Sequence, residues 1–286
     1  MTVIQARGLT KQFGDVRALD GFELQVPRGR IVGLIGPNGS GKTTALKSIL
    51  GLAQLDQGEI QVLDHHPWRQ RAQLMQHVAY IADTGILPKW MRVCDLLDYV
   101  AAVHPRFDHA LALDRLSRTD ISLRKKVRVL SKGMHVQLHL AIVLAIDAEL
   151  LVLDEPTLGL DVIHRQQFYD AVQNEFFSPQ RSVLVTTHEV REIEHILTDV
   201  VFIHRGRTRL ASSMSELAQQ FQKVVCATEA ALPQEPLSRR KTPSGHEYIF
   251  RGASSQQLEA LGPVTVPNLA ELFVALVEND AVGGTQ

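Results

Sequence analysis

The stretch Gly36-Pro37-Asn38-Gly39-Ser40-Gly41-Lys42-Thr43 holds the densest chemistry in this chain. It follows an apolar, β-rich run, Ile31-Val32-Gly33-Leu34-Ile35, and opens onto a helical pattern starting Thr44-Ala45-Leu46. Strand, glycine-rich loop and helix in that order are what a phosphate-binding P-loop requires. The glycines let successive backbone N–H groups turn toward one anion. The following helix aims the positive end of its dipole at the same point. At this spacing Lys42 reaches the outer phosphates and Thr43 offers a hydroxyl to Mg²⁺. An ordinary glycine-rich turn has no need of the lysine or of the flanking elements.

A second chemical pair closes another apolar strand, where Leu150-Leu151-Val152-Leu153 runs into Asp154-Glu155. Asp154 is placed to hold Mg²⁺, directly or through its water, as a hard oxygen ligand. Glu155 stands one residue beyond, where a carboxylate polarises an attacking water. Alone, the pair is an acidic turn after a buried strand; downstream of a P-loop it reads as the metal and base end of a nucleotide site. Between the two anchors lies Val129-Leu130-Ser131-Lys132-Gly133-Met134, followed by a helix. Ser131 reads as its N-cap, and Gly133 permits close backbone approach. That helix start is a second anion site. One P-loop needs only one, so the second is expected to serve a different nucleotide, in a partner subunit.

The elements that position these groups follow from periodicity. Residues 2–35 read as strands with turns near Gly14-Asp15 and Pro27-Arg28-Gly29. A helix is expected from Gly41 to Leu52, then short strands at 58–63 and 78–81, and a helical stretch from Val93 to Ala148. Beyond the strand at 150–153, helices at 162–177 and 190–197 alternate with strands at 182–187 and 200–204, to about Phe221. Such alternation predicts an α/β fold whose mostly parallel sheet is covered by helices on both faces. The texture changes near Lys223: short strands over 223–252 with a polar break from Pro233 to Pro243, then a helix from Asn268 to Val277 and a Gly-rich tail.

Composition bounds the class. The chain has 286 residues, the apolar content of a globular protein and a formal net charge of −1, so no bulk electrostatic pull toward nucleic acid is expected. Cys94 and Cys226 form no metal-like or disulfide pattern, which fits a reducing compartment. The N-terminus lacks a signal-peptide core. The apolar run from Leu138 to Leu153 is interrupted by His139, Asp147 and Glu149, so it is not a membrane span. Any membrane role needs another chain to supply the span.

Taken together, these motifs resemble those of the ATP-binding subunits of ABC transporters. Residues 36–43 are similar to that family's Walker A and Leu150–Glu155 to its Walker B. Leu130–Met134 resembles its LSGGQ signature, keeping Leu, Ser and the second Gly. Gly159-Leu160-Asp161 resembles the D-loop, and Thr187-His188 the switch histidine. Phe13 sits where the family has an aromatic residue stacked on adenine. The match runs in order over residues 2–220.

The resemblance implies a P-loop NTPase fold with an N-terminal antiparallel β subdomain and a helical subdomain over 84–148. An ATPase domain over 1–220 would then carry a small C-terminal α+β extension over 221–286. ATP and Mg²⁺ are the implied cofactors. Nucleotide contacts are expected from Phe13, Gly36, Pro37, Asn38, Gly39, Ser40, Gly41, Lys42, Thr43 and Thr44. Thr43, Asp154 and Asp83 are the metal candidates. Glu155 as base, His188 as γ-phosphate sensor and Lys42 are the catalytic set. Two such subunits, identical or different, sandwich two ATP molecules, so Ser131, Lys132, Gly133 and Asp161 would act in trans. A membrane permease is the implied partner, with the chain peripheral at the cytoplasmic face of the cell membrane and no nucleic acid involved.

Departures from the family pattern point to the ABC-2 exporter branch. Asp83 stands where Gln is usual, and Lys132 and Met134 replace a Gly and the Gln of the signature. Asp83 has two readings, a further carboxylate near Mg²⁺ or a cap for the next segment. The stretches Val103–Asp108 and Pro267–Phe273 also resemble that branch. An importer ATPase, or a soluble non-transport ATPase of the same type, is the alternative. Trp90 lies in an apolar loop where the family meets its membrane partner. His135 and His139, four apart on a helix, lack a third ligand and read as helix surface.

Overall fold

The computed structural model describes residues 1–82, 87–228, 231–243 and 245–283. The chain opens with a long hairpin, β1 (Thr2–Phe13) and β2 (Val16–Pro27), followed by β3 (Ile31–Ile35) and α1 (Lys42–Ile49). β4 (Gln57–Val62), the short α2 (Arg71–Leu74) and β5 (Val78–Ile81) come next. The helical stretch comprises α3 (Val93–Val103), α4 (His109–Ser117) and α5 (Lys132–Leu144). β6 (Leu150–Asp154), α6 (Val162–Ala171), β7 (Ser182–Thr187), α7 (Val190–Ile193) and β8 (Asp199–His204) complete the alternation. The remainder is β9 (Arg207–Ser213), α8 (Met214–Gln220), β10 (Phe221–Cys226), β11 (Ser238–Thr242), β12 (Gly245–Arg251), α9 (Ser255–Glu259), β13 (Val264–Thr265) and α10 (Leu269–Gly283).

Three sheets result. The central one has the order β5-β6-β7-β3-β8-β9, parallel except for the β8–β9 hairpin. β3, β6 and β7 are buried along their whole length, which is why they read as continuous apolar runs and not as alternating ones. On one face, Leu34, Val152 and Leu184 share a core with α1 and with the antiparallel sheet β2-β1-β4. On the other, Ile35, Leu151 and Val185 pack with Phe168 and Tyr169 of α6. α3, α4 and α5 enclose a separate apolar cluster around Leu97, Leu116 and Leu138.

The third sheet, β11-β12-β10-β13, is antiparallel and lies at the C-terminal end of the chain. α10 anchors this region to the central core: Leu269 and Leu272 join it and Phe273 stacks edge-on against Phe202 at 5.2 Å. Lys223 on β10 pairs with Glu271 at 2.8 Å.

Four details depart from the periodicity reading. Residues 190–197 form one α turn and a 3₁₀ turn instead of a single helix. α6 stops at Ala171 and continues as a π-helical turn, Val172–Phe176. The segment before Phe221 holds β9 and α8. The polar break at 233–243 contains β11, whose Arg239, Arg240 and Lys241 hide the strand signal because charge is tolerated on an open sheet edge.

Candidate functional site

All the motif residues that follow parallel strands emerge at one edge of the central sheet. The P-loop follows β3, Asp154-Glu155 closes β6 and His188 follows β7. Parallel strands present their carboxyl ends together, and ligands bind in the crevice outside those ends. The P-loop is locally forced. A Cβ at Gly36 would collide with the Ile203 carbonyl oxygen, and one at Gly41 would stand 2.5 Å from the Ala18 carbonyl oxygen. Gly41 also holds a left-handed conformation, φ 110°, as N-cap of α1. The loop's backbone and side chains from Pro37 to Thr44 line a cleft of about 520 Å³, together with Val16, Arg17, Ala18, Glu155 and Arg205.

Lys42 is buried, 6% exposed, and its Nζ lies 2.7 Å from the Gly36 carbonyl oxygen and 3.3 Å from Glu155 Oε1. Glu155, 12% exposed, also accepts from His188: Nδ1 is 2.9 Å from Oε2. A carboxylate only accepts, so the hydrogen sits on Nδ1 of the imidazole. The Glu155 backbone is in the left-handed region, φ 48°, uncommon for a side-chain-bearing residue. Its N–H is held by the Thr186 carbonyl oxygen at 3.1 Å. Local strain is thus fixed by the neighbouring strand, and the carboxylate lies between lysine and imidazole. Asp154 is buried and accepts from Thr186 Oγ1 at 2.7 Å.

These groups fit a nucleotide phosphate chain with a divalent cation. The cradle admits no Cβ at Gly36 or Gly41, and the Thr43 hydroxyl and the Asp154 carboxylate are hard oxygen donors. Among the described residues no cluster of three His, Cys, Asp or Glu side chains is close enough to hold a metal by itself. A cation here would therefore need ligands from a phosphate chain, as Mg²⁺ sites on nucleotides do. Asp83, the third metal candidate, lies outside the described residues.

The remaining predicted residues divide into two places. Phe13 closes β1 opposite Val16, and is 53% exposed beneath Lys11 Nζ, 5.3 Å from its ring centre. Val16, Arg17 and Ala18 of the same hairpin, and not Phe13, are in the wall of the cleft.

Ser131, Lys132, Gly133 and Asp161 stand on α5 and at the start of α6, outside that wall. Ser131 caps α5 by accepting from Met134 N at 3.2 Å, as its sequence position predicts. Asp161 caps α6 through His164 N at 3.0 Å and also takes the His164 Nδ1 hydrogen at 2.7 Å. Lys132 Nζ reaches the Gly159 carbonyl oxygen at 3.5 Å. His139 is not plain helix surface: it is half-buried beside Leu158 and Leu160, and burial, helped by His135, pushes its imidazole down to about 4. Trp90 is open to solvent.

The sequence reading missed Arg17 and Arg205 as cleft residues. The cue available for Arg205 was an Arg-Gly pair between two apolar runs, a hairpin-turn signal.

Comparison with known proteins gives the family. A family described as "ABC transporter" matches residues 19–158. A daunorubicin resistance ATP-binding protein, DrrA3 of Streptomyces coeruleorubidus, is 33% identical over 221 residues, which is 76% of this chain and 70% of that protein. The Nod factor export ATP-binding protein I of Cupriavidus metallidurans is 31% identical over 262 residues, 87% of this chain and 84% of that one. A solved ATP binding subunit of an ABC transporter superposes with a TM-score of 0.68 at 23% identity, covering 76% of this chain and 92% of its own.

Proposed function

This chain belongs to the ATP-binding proteins of ABC transporters, and we propose that it hydrolyses ATP to drive export through a separate membrane permease. The observation that carries the reading is the convergence of Lys42, Glu155 and His188 from β3, β6 and β7, linked at 3.3 and 2.9 Å. In this reading the P-loop N–H groups and Lys42 bind the phosphates. Glu155 accepts the proton of the water that attacks the γ-phosphate, giving ADP and phosphate. His188 holds the Glu155 carboxylate through Nδ1 and contacts the γ-phosphate. Thr43 and Asp154 would hold Mg²⁺, which when bound neutralises charge on the phosphate chain.

Ser131, Lys132, Gly133 and Asp161 are read as serving the nucleotide of a second ATPase subunit, identical or different. Their position outside the wall of their own cleft supports this. So do the exposed Leu158, Val162 and Ile163 around Asp161, an apolar patch suited to a protein partner. Among the described residues no helix is long and apolar enough to cross a membrane, so attachment at the cytoplasmic face would run through the permease, with Trp90 as a contact. Export is favoured over import by the relatives named for export and drug resistance. We take residues 1–220 as the ATPase unit, with 84–148 as its helical subdomain, and 221–286 as an appended extension.

Glu155→Gln tests the assignment. It keeps size and hydrogen bonding but removes the base, so ATP should still bind while phosphate release falls at least about 100-fold. ATP and Mg²⁺ should then accumulate a dimer on sizing chromatography, since reopening needs hydrolysis. Wild-type turnover in this variant would refute the role of Glu155.

A further inference from the structure

We propose that Arg205 is a nucleotide-binding residue whose guanidinium holds the inner, α and β, phosphates of the nucleotide from the side of the P-loop opposite Glu155. The proposal rests on the ATPase reading above and extends it to a residue outside every motif of the chain. Three observations carry it.

The first is topological. In the order β5-β6-β7-β3-β8-β9, the P-loop strand β3 lies between β7 and β8. Glu155 and His188, after β6 and β7, therefore flank the P-loop on one side. Arg205, after β8, flanks it on the other and lines the same cleft. Hydrolysis attacks the terminal phosphate at the Glu155 end, so the inner phosphates fall toward the Arg205 end. The turn is fastened to the loop as well: Gly206 N donates to the Ser40 carbonyl oxygen at 2.8 Å, and Asp20 N donates to the Gly206 carbonyl oxygen at 2.9 Å.

The second is the backbone. β8 and β9 pair His204 with Arg207 across a two-residue turn, with Arg205 at φ 51° and Gly206 at φ 74°. Positive φ at both central positions is the type I′ hairpin, which favours Asn, Asp or Gly at the first. Arginine is a poor choice there on conformational grounds. Strain at a cleft-lining position points from conformation to function.

The third is charge. Arg17 and Arg207, its neighbours in space, share Asp20 at 3.0 and 2.6 Å. Arg205 has no hydrogen-bond or carboxylate partner among the described residues. It is the cation left over at the mouth of a phosphate cradle. A guanidinium is suited to bidentate binding of phosphate oxygens.

Arg205→Asn separates function from folding, because Asn suits the turn better than Arg while removing the cation. In the purified full chain, competition of ATP and of ADP against a fluorescent nucleotide should show both weakened by a similar factor, about tenfold. KM for ATP should rise with them more than kcat falls. The melting temperature should hold or increase, and Arg205→Lys should recover part of the affinity. Unchanged affinity for both nucleotides would overturn the assignment, and a loss confined to ATP would overturn the inner-phosphate placement. Lys42→Ala serves as the control for specific binding. A wild-type chain that binds no more nucleotide than this variant would overturn the ATPase reading itself, an outcome distinct from either of the others.

Discussion

Gly133→Ala is a sharp test of how α5 and α6 are joined. Gly133 is buried in the first turn of α5. On propensity alone, alanine there should stabilise the helix by up to about 1 kcal/mol. The packing says otherwise. A Cβ built on Gly133 collides with the imidazole of His164, standing 2.5 Å from Cδ2 and 2.9 Å from Cε1. The ring cannot move aside without surrendering the Asp161 carboxylate, 2.7 Å from its Nδ1. Clearing the ring and giving up that exposed contact costs about 1–2 kcal/mol. The net expectation is a loss of roughly 1 kcal/mol, obtained by setting that cost against the propensity gain.

Removing the obstacle should reverse the sign. In a His164→Ala background the methyl group meets no ring, so Gly133→Ala should become stabilising by roughly 0.5–1 kcal/mol. The coupling between the two sites is then about 1–2 kcal/mol, above the error of a double-mutant cycle. Urea unfolding of the four proteins, compared by midpoint at constant slope, gives the cycle. Asp161 still caps α6 in the His164→Ala variant, because the backbone N–H of residue 164 is kept. Equal effects of Gly133→Ala in both backgrounds would refute the contact and the reasoning built on it.

Two further outcomes follow from buried polar groups. Thr186→Val keeps volume but removes the hydroxyl that donates to Asp154 at 2.7 Å; it should cost about 1–3 kcal/mol and raise the Mg²⁺ concentration needed for half-maximal ATP hydrolysis, and an unchanged Mg²⁺ titration would detach Thr186 from the site. His139 titrates near 4 in the fold against a usual 6.5, so below pH 6.5 the unfolded chain takes up a proton that the folded chain refuses. Stability should therefore fall between about pH 6.5 and pH 4 by roughly 1–3 kcal/mol. His139→Gln should flatten that part of the urea-midpoint profile, and superimposable profiles would refute the effect of burial.

What the sequence disclosed follows the range of the interactions. The P-loop and the run Leu150–Glu155 are each local: strand, turn and candidate residue are contiguous, so spacing alone singles them out, whereas Thr187-His188 was singled out by resemblance to the family. The cap at Ser131 was equally legible in place, since a cap bonds its own first turn, while the cap at Asp161 came from the structure. What the caps hold against each other was not legible, because Gly133 and His164 are neighbours only after α5 and α6 pack. Phe13, suggested as a stacking surface by residue type and position, stays exposed on the hairpin whose Val16, Arg17 and Ala18 line the cleft.

The strand order explains why a local reading stops where it does. Along the chain the residues run from the P-loop through Glu155 and His188 to Arg205, but across the sheet β3 lies between β7 and β8. Chain order therefore puts Arg205 last and remote, while the fold puts it next to the P-loop with Glu155 and His188 on the far side. A cleft asymmetric in this way has a carboxylate–imidazole pair at one end and, at the other, a cation with no partner among the described residues. With the roles proposed above, a bound phosphate chain would lie with its terminal phosphate toward Glu155 and its inner phosphates toward Arg205. On the proposed reading, the sheet's crossover and no motif taken singly would set the direction in which the nucleotide lies.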